Sequence, residues 1–212
     1  SAPIIAGGLI GLANEVGMFR EHRVKATPVD KFWRSAPLGV EGLGKRLEQI
    51  SGQGNIVVER YGTRFVAYLP GTQTWSPIGL GNPIDFTSNL QAMKGPGLAA
   101  SERGVQLALA AAGATAGSRI LLVGHSQGGL IGANIALNDK RVKGLVTFGA
   151  PISQLAEKLP VPTVAIQHKN DIVPKLGLKA NPFALNLVTV ERVLPISTPL
   201  AAVLEAHEIE NY

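Results

Sequence analysis

The run Gly124-His125-Ser126-Gln127-Gly128 sets a serine between two glycines, each two residues away. A serine hydroxyl is a weak nucleophile near neutral pH, and it attacks a carbonyl effectively only when a positioned base takes its proton. The chain has four histidines that could be that base: His22, His125, His168 and His207. A buried carboxyl group that orients the imidazole would complete the set. Asp171, in Lys169-Asn170-Asp171-Ile172-Val173-Pro174, is a candidate for it, although Asn-Asp ahead of a proline also reads as ordinary turn chemistry. Together these residue types would perform acyl transfer through a covalent acyl-serine.

Such a serine needs a tight turn between a strand and a helix, with small neighbours to relieve the crowding. The flanking sequence supplies both elements. Ile120-Leu121-Leu122-Val123 is a continuous apolar run bounded by Arg119 and Gly124, as expected of a strand buried on both faces, and Gly128 to Leu137 reads as a small-residue helix. The alternation continues with a strand at Leu145 to Phe148, a short helix near Gln154 to Lys158, strands at Thr163 to Ile166 and Leu187 to Val190, and a final helix or loop from Leu200 to Ile209. Upstream, Ile56-Val57-Val58, the turn Tyr61-Gly62-Thr63 and Arg64 to Leu69 read as a hairpin. Ala99 to Ala116 reads as a helix capped at Ser101, with Val105, Leu107, Leu109 and Ala112 toward the core. Strands alternating with helices predict an α/β fold with a mostly parallel central sheet flanked by helices. In such a sheet the loops at the carboxyl ends of the strands share one rim, so Asp171, just beyond Thr163 to Ile166, can meet Ser126.

The chain of 212 residues suits one domain with a properly buried core. We expect a single domain over residues 1–212, in which 1–50 form an extension packed on a catalytic core at 51–212. Hydrophobic residues make up 45% and charged residues 17%, a globular balance. There is no cysteine, which excludes disulfides, thiolate zinc sites and a cysteine nucleophile. The net charge of +5 comes from scattered basic residues without an aromatic-rich basic module, which argues against nucleic acid as a partner. No apolar run approaches the roughly 20 residues of a membrane span, and Ala2 to Phe19, broken by glycines and without a basic leader, reads as a poor signal peptide. No metal-spaced His/Asp cluster is evident and the chemistry requires no cofactor. Compartment and oligomeric state are not specified by these residues.

Pro70-Gly71-Thr72, Gly124 to Gly128, Phe148-Gly149-Ala150-Pro151, Asn170 to Pro174 and His207, in this order, resemble the α/β-hydrolase superfamily over about residues 55 to 212. The Phe-Gly-Ala-Pro and Asn-Asp-Ile-Val-Pro segments are similar to those of class 3 lipases, and the whole resembles actinobacterial hydrolases of unassigned substrate. The resemblance implies the chain order Ser, Asp, His, which sets aside His22 and His125. Of the two remaining, His168 ends a strand and would face the sheet surface, so His207 is expected as base beside Ser126 and Asp171. It also implies an oxyanion hole from the Gln127 N–H and a second donor at Thr72, after the early strand. The typical lipase lid helix is not evident in Ser76 to Gly97. Trp75, Phe86 and Met93, with Ile78, Leu90, Phe183, Leu185 and Leu200, are candidates to line an acyl pocket for a small-molecule or lipid ester. The expected function is a carboxylesterase. A lipase acting on longer acyl chains, a thioesterase or amidase, and a catalytically silent binding module of the same fold are the alternatives.

Overall fold

The computed structural model describes residues 35–51, 56–71, 96–177, 179–195 and 205–212. These contain helix α1 (Gly39–Ile50), strands β1 (Val57–Tyr61) and β2 (Arg64–Leu69), helix α2 (Pro96–Ala111), strand β3 (Arg119–His125), helix α3 (Gln127–Asn138), and strands β4 (Val142–Phe148), β5 (Thr163–His168) and β6 (Leu187–Arg192). The strands form one sheet in the order β1-β2-β3-β4-β5-β6. β1 and β2 are an antiparallel hairpin, and every later pairing is parallel. The protein is therefore of the α/β class, with a mostly parallel sheet.

Side chains alternate across the sheet, and the period of two sorts the core into two layers. Phe65, Ala67 and Leu69 of β2, Ile120 and Leu122 of β3, Leu145 of β4 and Ala165 of β5 share one face with Val105 and Leu109 of α2 and Ile131 and Ile135 of α3. Val66 and Tyr68, Val123, Val146 and Phe148 face the other way, against Leu43, Leu47 and Ile50 of α1 and Ile209 near the carboxyl end. The physical reason is handedness. Right-handed crossovers that always step in the same direction place their helices on one face, so the opposite face must be covered by other parts of the chain. Here α1 and the segment around Ile209 do it. α1 is suited to this role because Leu43, Arg46, Leu47 and Ile50 recur at helical spacing on one side. Its buried Arg46 is tied to the hairpin through Glu59, which also accepts hydrogen bonds from Tyr61 at 2.8 Å and Tyr68 at 2.7 Å.

Four sequence expectations are corrected in α2. The helix begins at Pro96 rather than Ala99, so Ser101 lies inside it and is not its cap. Proline is tolerated in a first turn, because its missing N–H would have no intrahelical acceptor there. The helix ends at Ala111, five residues early, where Gly113 turns to φ 87° and the Ala114 N–H closes back on the Leu109 carbonyl at 2.9 Å. Leu107, expected in the core, is half exposed, whereas Val105 and Leu109 are buried.

Leu47 is fully buried between α1 and the sheet. Leu47→Ala should lower unfolding free energy by about 3 kcal/mol in denaturant titration, a loss that a loosely attached appendage would not show.

Candidate active site

β3 ends at His125 and α3 begins at Gln127, so Ser126 makes the whole turn between them. Its backbone sits at φ 51° and ψ −121°, and among the described residues no other non-glycine has positive φ. Such a conformation costs about 1–3 kcal/mol and persists only where the surroundings hold it. Helix and strand are pressed together at this point: a Cβ on Gly128 would lie 2.0 Å from the Leu69 carbonyl oxygen. The Ser126 N–H is fixed by donating to the Phe148 carbonyl at 2.9 Å, which ties the turn to the end of β4.

Parallel register brings the other groups to the same rim. His125 pairs with Phe148, Phe148 with Ile166, and β5 ends three residues before Asp171. Ser126 Oγ lies 2.8 Å from His207 Nε2, and His207 Nδ1 lies 2.8 Å from Asp171 Oδ2. All three are buried, at 3%, 8% and 0% exposure for Ser126, His207 and Asp171. A carboxylate only accepts, so facing one the imidazole carries its proton on Nδ1 and turns the Nε2 lone pair to the serine hydroxyl. That is the tautomer a general base requires. Asp171 accepts further bonds from the Val173 N–H at 2.8 Å on Oδ1 and from the Tyr212 hydroxyl at 2.7 Å on Oδ2.

The remaining two described histidines hold the backbone that carries His207. His125 Nε2 donates to the His207 carbonyl at 2.7 Å, and its ring stacks on the His207 ring at 4.8 Å. His168 Nδ1 donates to the Ala206 carbonyl at 2.8 Å and accepts from Arg192 Nε at 2.8 Å through Nε2. A carbonyl cannot donate, so His125 carries a proton on Nε2, and because a guanidinium cannot accept, His168 is held neutral with its proton on Nδ1. Burial, and second the repulsion between the two rings when both are protonated, lowers the His125 pKa to about 3. Burial also lowers that of His168, with Arg192 contributing in the same direction. His168 thus corrects the expectation of a sheet-surface residue: it is buried, and one hydrogen bond away from the backbone beside His207. Tyr212 stacks on His168 at 4.1 Å, and burial followed by the Asp171 charge raises the pKa of its phenol, which therefore donates as a neutral group. His125, His168, Arg192 and Tyr212 carried no local signal, since each acts on a partner distant in sequence.

Gln127 opens α3, so its N–H belongs to the first turn of the helix. The chain at Gly71 passes against this turn, where an added Cβ would stand 3.1 Å from Ser126 Cβ. Thr72, Trp75, Ile78, Phe86, Leu90, Met93 and Leu200 lie outside the described residues, as does most of Ser76 to Gly97. Phe183 and Leu185 correct the sequence reading. Both are fully exposed, just before β6 begins, and the neighbouring Asn186 carbonyl accepts from Thr163 at the start of β5. They sit at the end of the sheet away from Ser126. An open groove lined by Gln106, Asp139 and Arg141 likewise lies at the amino end of β4, and its polar groups pair with one another, Arg141 with Asp139 at 2.7 Å and Gln106 with Asp139 at 3.1 Å. Asp139 caps α3 there, far from the serine.

Among the described residues no group of three or more His, Cys, Asp or Glu side chains is arranged to hold a metal, and no helix is long and apolar enough to cross a membrane. No protein-family model matches the chain, and no curated protein is significantly similar to it.

The neutral histidines set an acid limit on stability. Their folded-state pKa values lie below the ordinary value of about 6.5, so the unfolded chain binds more protons as pH falls. Their contribution is complete above about pH 6.5 and is lost below it, for His125 over the range down to about 3. Each such group removes up to about 1.4 kcal/mol per pH unit. His125→Gln, which can keep an N–H donor, should flatten the slope of unfolding free energy between pH 6 and 4; an unchanged slope would contradict the buried neutral ring.

Proposed function

We propose that the chain is a serine hydrolase with an α/β-hydrolase fold, cleaving carboxylic esters. The observation that carries this reading is the unbroken hydrogen-bonded line from Ser126 through His207 to the buried Asp171. Support for the fold comes from the arrangement around it. The nucleophile candidate stands at a positive-φ turn between a parallel strand and a helix, the acid follows the strand two positions further along the sheet, and the base comes last in the chain. The sequence resemblance points the same way.

In the proposed reaction Ser126 Oγ attacks the ester carbonyl as its proton passes to His207 Nε2. Negative charge then develops on the carbonyl oxygen. The Gln127 N–H at the helix start is assigned to stabilise it, with Thr72 as the second donor. His207 next protonates the departing alkoxide and releases the alcohol. A water molecule, deprotonated by the same imidazole, attacks the acyl-serine, and collapse of the second tetrahedral intermediate frees the acid and restores Ser126. Asp171 keeps the Nδ1–H tautomer in place and stabilises the imidazolium while it lasts.

The test is labelling by a fluorophosphonate, followed by a panel of p-nitrophenyl esters of increasing acyl length. Wild-type chain should be modified at Ser126 and should turn over at least one ester. Ser126→Ala should abolish labelling and lower kcat on the order of 10⁴-fold while the melting temperature is maintained. A folded wild-type chain that neither labels nor turns over esters would be a silent binding module. Preference for the longest chains in the panel would instead favour a lipase. Asp171→Asn should cost on the order of 10⁴-fold in kcat, since the amide can turn an N–H toward Nδ1 and favour the wrong tautomer.

A further inference from the structure

The Tyr212 hydroxyl and the His207 imidazole converge on a single oxygen of Asp171, at 2.7 and 2.8 Å. Oδ1 is already committed to the Val173 backbone. The tyrosine ring is not free to swing away: it lies flat on His168 at 4.1 Å and 20°, and meets the edges of Phe148 and His125 at about 6 Å. His168 is in turn fixed by Ala206 and Arg192. The phenol therefore approaches the carboxyl group from a rigid platform, and hydrogen bonds to a charged acceptor are the strong ones.

We infer that Tyr212 is a positioning residue for the reaction, holding Asp171 Oδ2 toward His207 and sharing its negative charge. The inference rests on the proposed roles of Ser126, His207 and Asp171. Two effects follow from the geometry. Without the hydroxyl, Oδ2 of the buried carboxyl group keeps one donor, and it is less firmly aimed at Nδ1. Its charge is also shared with one partner fewer, so it attracts the proton on the imidazole more strongly.

The charged and titratable groups around this oxygen come from each neighbouring element: His207 and Tyr212 from the carboxyl-terminal segment, His168 from β5, Arg192 from β6 behind His168, and His125 from β3 against the His207 ring. Tyr212→Phe changes only the hydroxyl among them and retains the stacked ring. With p-nitrophenyl butyrate as the probe substrate, the variant should lose about 10-fold in kcat with KM nearly unchanged. The acid limb of its kcat/KM profile should move to higher pH by about half a unit. A purely structural tyrosine would lower the melting temperature without moving that limb.

Coupling provides the second readout. In an Asp171→Asn background, Tyr212→Phe should leave the rate of fluorophosphonate labelling almost unaltered, because the charge it acts on is gone. An equal additional loss in that background would overturn the inference. So would a Tyr212→Phe variant with wild-type kcat and pH profile, measured beside a wild-type chain that labels at Ser126. A wild-type chain inert to both probe and ester removes the hydrolase reading and this inference together, an outcome distinct from failure of the tyrosine alone.

Discussion

Burying a carboxyl group completely is unfavourable unless its oxygens find donors. Asp171 has no exposure, and it is satisfied by the Val173 N–H, the His207 imidazole and the Tyr212 hydroxyl. Two of these three donors belong to the last described segment of the chain, which therefore cannot leave the rim without exposing an unpaired acidic group to an apolar interior. The position of His207 is in this sense a consequence of where Asp171 is buried. Ser126 then meets the far nitrogen of a ring whose near nitrogen is already committed.

The segment is held from behind as well. Ile209 enters the core layer formed by α1 and one face of the sheet, and the carbonyls of Ala206 and His207 are taken by His168 and His125. These two rings come from the ends of β5 and β3, so the sheet grips successive peptide groups from two strands at once. Their neutrality is part of the arrangement, because each needs one nitrogen to donate and burial opposes a second proton. The arrangement joins helix α1, at the start of the described chain, to the imidazole near its end through a single packed layer.

A static frame of this kind suits a reaction that needs little movement of its catalytic groups. Electrostatic stabilisation is most effective when dipoles and donors are oriented before charge appears. The strained Ser126 backbone is consistent with that principle: the crowding of Gly128 against Leu69 holds a conformation that an isolated chain would avoid. The proposed chemistry is thus assigned to one rim of the sheet.

Local pattern determined a good deal. The glycines around Ser126, the apolar run before it and the helix after it are properties of neighbouring residues, and steric exclusion at a tight turn works over the same short range. The strand preceding Asp171 was legible for the same reason, as was the alternation that gives a parallel sheet. Helix ends were less so: the start at Pro96 and the stop before Gly113 depend on which backbone groups can be satisfied, which a periodic pattern does not report. His22 and His125 could be set aside as base only through the resemblance, and His207 was preferred to His168 because His168 ends a strand. The carbonyl contacts of His125 and His168, the phenol of Tyr212 on Asp171, and the placement of Phe183 and Leu185 away from the serine were decided by tertiary structure. Hydrogen bonds between groups dozens of residues apart leave no trace in local spacing, because the chain specifies them only by folding.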